Sequence, residues 1–442
     1  MSDSHKVSRR QFLRRTAAAS AAVAAPYFVP SGILAAPGED GPNDRIGIAG
    51  IGVGRQGGGR FLAAANNELG RGVAVADVNL NRAKQMASAA KDKTEVYQDY
   101  RKLLERKDVD AIVTATPDHW RALVCIHACQ AGKDIYAEKP MTLTIREGRL
   151  VADAVRKYKR VFQTGSQQRS MAANRYGCEL VRNGRIGKVH TVIGANYPSP
   201  WFCELPGQTV PDGLDWDMWC GPVDPVPYNS DICTPRATPG WISLHPFSGG
   251  EMTGWGAHGL DQIQWALGMD ESGPSEIWTE GPKYDPPTYK KPTARAVGDA
   301  ICKSPMVFFK YPGDITVKLD TGSGGGGIFI GDKGKIEIFR GRVTSNPESI
   351  AKEPINDDDI HLYKSDSHMG NWLECIKTRE KPVADVEIGH RSTTVCHLGN
   401  IARWAGRKLR WDPVKEKFIG DEAANEFLDR PRRKGYRLPE TI

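Results

Sequence analysis

Cysteine is sparse: nine residues in 442, none in a CxxC pair or another metal-ligand spacing, which excludes a cysteine-built metal framework. Cys125 and Cys129 share a helix face and read as buried apolar thiols, while Cys203, Cys220 and Cys233 fall in a loop-rich stretch that admits one disulfide. Long apolar runs are missing too. The mildly apolar Thr16–Ala25 is broken and followed by two Ser and two Pro, against the about 20 mostly apolar residues that a membrane-spanning helix needs. An excess of one charge sign is also missing from the body. The formal net charge is +7, and the first 36 residues hold five Lys/Arg against one Asp, so the body is nearly neutral. With no basic stripe interleaved with aromatics, nucleic acid is excluded as the expected partner. No internal repeat occurs, which removes solenoids and propellers.

What is present begins with a leader. Ser8-Arg9-Arg10-Gln11-Phe12-Leu13 and the small-residue run after it form a twin-arginine pattern, the signal for export of an already folded protein. The expectation is a signal peptide over 1–36, a Pro/Gly/Asp-rich linker over 37–44, and a periplasmic or secreted body.

That body opens with short apolar strands alternating with helices. Arg45–Ala49, Gly72–Asp77, Asp110–Ala115, Asp134–Ala137 and Val161–Thr164 read as strands; Asn81–Ala90, Trp120–Ala131 and Ile145–Tyr158 read as helices between them. Such alternation predicts a doubly wound parallel sheet, an α/β Rossmann domain over 45–163. Beyond it the texture changes. A helix at Arg175–Asn183, a strand at Val189–Asn196 and a Pro/Trp/Asp-rich loop at 197–246 precede a helix at His258–Leu267. Strands at Met306–Tyr311, Asp314–Asp320, Gly326–Ile330 and Lys335–Phe339 then predict an α+β domain over 164–385 with an open, largely antiparallel sheet. Residues 386–442 are expected to pack back on the core as a helix and extension.

Chemistry concentrates at the expected strand ends. Gly50, Gly52 and Gly54, with Arg55, follow the first strand and open a helix; glycines there let backbone approach a pyrophosphate, and the helix start offers free N–H groups. Asp77 closes the second strand, where a carboxylate accepts both ribose hydroxyls of NAD and repels the extra phosphate of NADP; Asn79 and Arg82 leave NADP open. Thr116, Pro117 and His119 lie in the turn after the third strand. In DIYAEKPM the fourth strand ends in Glu138 and Lys139, at the nicotinamide end of the expected crevice. A partly desolvated lysine there can hydrogen-bond a hydroxyl or act as acid/base during hydride transfer. Pro140 fixes the chain's exit, and a cis Lys139–Pro140 bond is one way to do so. Further on, Gly249–Asp261 is a glycine-rich approach to a helix that sets His258 at its start.

The combination of the glycine turn, AIVTATPDHW, AGKDIYAEKP, QTGSQQR, NGRIGKV, GGEMTGWGAHGLD, GDKGKIEIF and HMGNWLECIKTREKP resembles the glucose–fructose oxidoreductase/inositol dehydrogenase (Gfo/Idh/MocA) family across most of the body. The loop LDWDMWCGPVDPVPYN resembles a secreted branch of it. The resemblance implies an NAD(P)-binding Rossmann domain followed by a domain whose open sheet covers the substrate. Lys139 takes the place of the EKP lysine and His258 that of the catalytic histidine, with Arg169, Trp255 and Asp261 near substrate. One departure stands out. The family carries an aspartate four residues before that histidine, and here the position is Gly254; Glu251, Asp261 and His390 are the candidates to compensate.

The expected activity is an exported oxidoreductase passing hydride between a carbohydrate secondary alcohol and tightly bound NAD. The alternative is an NAD-dependent glycoside hydrolase or lyase without net redox change. A homo-oligomer, dimer or tetramer, is expected by analogy with the family.

Overall fold

The computed structural model describes residues 45–234, 240–286, 288–290 and 304–442. The twin-arginine leader and the linker lie outside the described residues. Among those described, two large sheets organise the chain.

The first sheet is built from β1 (Ile46–Ile51), β2 (Gly70–Ala76), β3 (Glu95–Tyr97), β4 (Ala111–Thr114), β5 (Asp134–Ala137) and β6 (Phe162–Thr164), in the order β3-β2-β1-β4-β5-β6. Every pairing is parallel. Helices cover both faces, so the inner strands are apolar from end to end: all of β1, β4 and β5 is buried. The edge strand β3, three partly exposed residues, adds a sixth strand to the five expected. It has no apolar run because one side of an edge faces solvent. Since all strands point the same way, the glycine turn, Asp77, Thr116 and Glu138 emerge at one edge of the sheet. That edge is where open α/β sheets bind ligands.

The second sheet uses β7 (Val189–Ala195), β9 (Glu276–Glu280), β11 (Met306–Tyr311), β12 (Ile315–Asp320), β13 (Gly326–Gly331), β14 (Gly334–Phe339), β15 (Arg342–Asn346), β16 (Leu409–Asp412) and β17 (Lys417–Phe418). Its order is β15-β14-β13-β7-β12-β11-β9-β16-β17. Only the β7–β12 pairing is parallel among these, so the expected open, mostly antiparallel sheet is present. Alternation does the sorting. Val307, Phe309 and Tyr311 point into a core shared with the helices Ala172–Arg182, Gly256–Leu267 and Val386–Ala405, while Phe308 stacks on Trp278 on the other face. A small separate pair, β8 (Phe202–Cys203) with β10 (Thr288–Tyr289), belongs to the Trp-rich loop region. That region has its own apolar cluster around Trp201, Trp219 and Phe247. Cys203, Cys220 and Cys233 are free thiols there, so the disulfide that the sequence admitted is not formed.

Later segments of the chain return to pack on the first sheet. Helix His368–Thr378 lies within the stretch assigned above to the second domain, and its Trp372, Leu373 and Ile376 close the core against Ile48, Val113 and Tyr136. Trp372 is fully buried, with its ring 5.7 Å from that of Tyr136. Further on, Tyr436 meets Trp120 edge-on at 5.4 Å, and Leu438 and Ile442 pack on the same side. No described helix is long and apolar enough to cross a membrane.

Candidate active site

A cavity of about 720 Å³ opens at the carboxyl edge of the first sheet and runs to the start of the helix Gly256–Leu267. Its first end is shaped by backbone. Gly52 has φ +73°, and a Cβ there would lie 2.8 Å from the Thr116 side chain. A side chain on Gly57 would collide with the Gly52 carbonyl. Helix Arg55–Ala65 follows, with Gly54 at its N-cap and no side chain capping it, so its first N–H groups face the cavity. Asp77 lies beside this cradle, buried, accepting the Asn79 N–H at 2.9 Å and facing the Arg82 guanidinium at 3.5 Å. Burial pushes its carboxyl above the ordinary range, against the opposing pull of Arg82. A glycine cradle without room for side chains, uncapped N–H groups and a ribose-height carboxylate fit a dinucleotide.

The other end is made of side chains. Lys139, whose peptide bond to Pro140 is cis, donates from Nζ to the Gly254 carbonyl at 3.0 Å. The position where the family resemblance leads one to expect a carboxylate therefore still presents an oxygen to the lysine, but a neutral backbone one. Glu138 is buried, and its Oε1 accepts from the amides of Gln56 at 3.0 Å and Gln167 at 2.8 Å, with Arg60 at 3.5 Å. His258 and Trp255 line the same space, their rings 5.6 Å apart, and Arg340 lies over the Trp255 ring at 5.4 Å.

One buried pair ties these parts together. Arg121 donates to the carbonyls of Thr116 and Pro140 and to Asp118, the last at 3.1 Å. Asp118 in turn accepts the Ser248 hydroxyl at 2.8 Å, from the segment leading to the glycine-rich approach. Burial raises the Asp118 carboxyl, while Arg121, Ser248 and the nearby Lys139 pull it back down. Three segments distant in sequence are thus fixed to one another next to Lys139. Asp118 is a carboxylate near enough to Lys139 to feel its charge.

Of the residues singled out above, Gly52, Gly54, Arg55, Asp77, Thr116, Pro117, Glu138, Lys139, Trp255 and His258 line the cavity. Four do not. Gly50 sits under the turn, where a Cβ would strike Val53 and Phe61. His119 points into the core, donating from Nε2 to the Trp219 carbonyl at 2.9 Å, and burial lowers it to about 4. Arg169 and Asp261 pair with each other at 2.9 Å; Arg169 also holds Asp270, and Asp261 accepts the Ser392 hydroxyl at 2.6 Å. Their role is to join helices, away from the cavity. As for the compensating candidates, His390 faces Glu416 at 2.7 Å, and neither it nor Glu251 lines the cavity. The sequence reading missed Gln56, Arg60, Asp118, Arg121, Gln167 and Arg340, together with Trp219 and Trp241 from the long loop. Gln167 and Asp118 lay inside motifs already quoted; Arg340 carried no local signal.

Comparison with known proteins settles the class. The model of an oxidoreductase family with an NAD-binding Rossmann fold matches residues 45–166, and that of the same family's C-terminal alpha/beta domain matches residues 180–438. The chain belongs to the Gfo/Idh/MocA oxidoreductase family. Its first domain is an NAD-binding Rossmann domain, and NAD is the cofactor that the cradle and Asp77 fit. Inositol 2-dehydrogenase 1 of Saccharopolyspora erythraea is 33% identical over 127 residues, 28% of this chain and 37% of that protein, so the match spans just over a third of the relative. The fold is shared with aldose-aldose oxidoreductase from Caulobacter crescentus complexed with glycerol, at TM-score 0.56, 18% identity and coverage of 83% of this chain and 99% of the other. It is shared too with the WlbA dehydrogenase from Bordetella pertussis in complex with NADH and UDP-GlcNAcA, at TM-score 0.56, 17% identity and coverage of 83% and 99%.

Proposed function

We propose that this chain is an NAD-dependent dehydrogenase acting on a secondary alcohol of a sugar, polyol or glycoside. The observation that carries the reading is that Lys139 and His258 line one cavity with Gly52 and Asp77. Bound NAD supplies the hydride acceptor. Lys139, oriented by the Gly254 carbonyl and the Asp118–Arg121 pair, holds the substrate hydroxyl and receives or returns its proton. His258 offers a second hydrogen-bonding group at the same hydroxyl. Glu138, fixed by two amides, shapes the floor, and Trp219 and Trp241 add aromatic walls. The twin-arginine pattern leads us to place the protein outside the cytoplasm, exported folded with NAD tightly held, and to expect a homo-oligomer. Homology to an inositol dehydrogenase supports the substrate class.

The test begins with denaturing purified, exported protein and identifying the released nucleotide by absorbance and mass. Incubation with a sugar and polyol panel, with and without added NAD, should then give NADH and an oxidised product. Release of no nucleotide, with activity wholly dependent on added NAD, would remove the tightly bound cofactor. A second reading, redox-neutral glycoside cleavage, is favoured by the neutral Gly254 oxygen where a carboxylate was expected. An aryl glycoside releasing its aglycone without NADH accumulation would select it.

A further inference from the structure

Charge inside the cavity is unevenly matched. Asp77 faces Arg82, Asp118 holds Arg121 and Glu138 faces Arg60. Two arginines lack such a partner among the described residues: Arg55, at the helix start beside the glycine cradle, and Arg340, whose neighbour is the Trp255 ring. The placement of Arg340 is built in several steps. Arg340 sits at the tip of the β14–β15 hairpin, and the next residue, Gly341, donates its N–H to the buried Asn174 Oδ1 at 2.6 Å, which pins the tip to the helix Ala172–Arg182. The Arg340 stem lies over Gly325, where a Cβ would come within 2.8 Å of Arg340 Cγ. Gly325 is itself held through its carbonyl by the Gln168 amide at 2.8 Å. Any larger residue at 325 would displace the arginine, so Gly325 makes room for it. The head group then reaches the wall shared with Trp255 and His258.

We infer that the substrate is a sugar acid, an aldonate or uronate, whose carboxylate is taken by the Arg340 guanidinium while its reacting hydroxyl faces Lys139. A pre-oriented guanidinium offers the paired donors that a carboxylate accepts in bidentate fashion. A neutral sugar would leave that charge facing the cavity unmatched, and a phosphate ester carries more charge than one arginine balances. The inference rests on the dehydrogenase reading for which end of the cavity receives substrate.

The test uses the full chain loaded with NADH. Calorimetry compares glucuronate, galacturonate and gluconate with glucose, galactose, myo-inositol and glucose 6-phosphate, for the natural protein and for Arg340→Gln and Arg340→Lys. NADH affinity, measured alongside, reports whether each variant is folded. One or more acids should bind roughly 10- to 100-fold more tightly than their neutral counterparts, and Arg340→Gln should remove that difference, with Arg340→Lys restoring part of it. In turnover the loss should appear chiefly in KM. Acids that bind no better than neutral sugars, tighter binding of the phosphate ester, or equal binding by Arg340→Gln would overturn the inference and leave the dehydrogenase reading standing. Arg340-dependent binding of an acid without hydride transfer from any substrate would do the reverse.

Discussion

Two groups of charged side chains, one in the core and one in the cavity, are satisfied in different ways. In the core, Arg169 is saturated by opposite charge, held by Asp261 and Asp270, and Asp261 takes a hydroxyl as well. In the cavity, Lys139 donates to a backbone carbonyl, and Glu138 accepts from two neutral amides with Arg60 farther off at 3.5 Å. Arg169 is fully buried and Lys139 only partly, and the partners differ as well. Full ionic pairing consumes a charge for structure, whereas neutral partners orient it and leave its field available to a ligand. Buried charge alone therefore does not mark a site.

The largest test of that contrast is Lys139→Ala. It should lower kcat about 10²- to 10⁴-fold while nucleotide still co-purifies, because the cofactor cradle is backbone. Loss of nucleotide together with turnover would break the separation between the two ends of the cavity. Asp261→Ala should do the opposite, lowering stability by about 3–5 kcal/mol because Arg169 is left buried with half its pairing. Chemical denaturation reads this directly, and a reduced kcat at unchanged stability would move Asp261 into the active site.

A third test concerns pH. His119 is buried neutral and lowered to about 4, and His397 to about 3, both chiefly by burial. Below the unfolded-state value near 6.5 the unfolded chain takes up protons that the folded chain refuses. Stability is therefore complete above pH 6.5 and falls as pH drops toward 4, by about 3 kcal/mol from His119 alone. Melting temperature against pH should show the decline, and His119→Gln should flatten part of it. The smallest effect belongs to Gln167→Ala, which removes one of the two amides on Glu138 and should cost roughly 1 kcal/mol. A much larger loss would mean that Glu138 depends on its neutral partners as heavily as Arg169 does on its carboxylates.

The division between what the residues announced and what they concealed follows from geometry. β1, β4 and β5 were legible because strands buried on both faces must be continuously apolar, and their shared direction put Asp77, Glu138 and Lys139 at one edge. β3 escaped notice because a short edge strand carries no such run. Asp118 and His119 show the finer limit. They are neighbours at the start of one helix, where a single step turns the side chain by about 100°, and so one faces the cavity and the other the core. Residue type pointed to the histidine; rotation chose the aspartate. Arg169 and Asp261 looked functional within their motifs, yet the sequence could not show that each was the other's partner. Arg340 reaches the cavity from a hairpin that pairs with the first domain at no point in sequence, so only the fold brings it there.

The helix carrying Trp372 has a consequence for how the protein is made. The Rossmann half emerges first from the ribosome, but its core stays open until this helix arrives, and the Gln163 amide waits for a carbonyl 205 residues downstream at His368. A fragment ending near residue 166 would expose the groove that Trp372 fills and should aggregate rather than bind nucleotide. Seven of the nine strands of the second sheet are thus made before the core of the first can close.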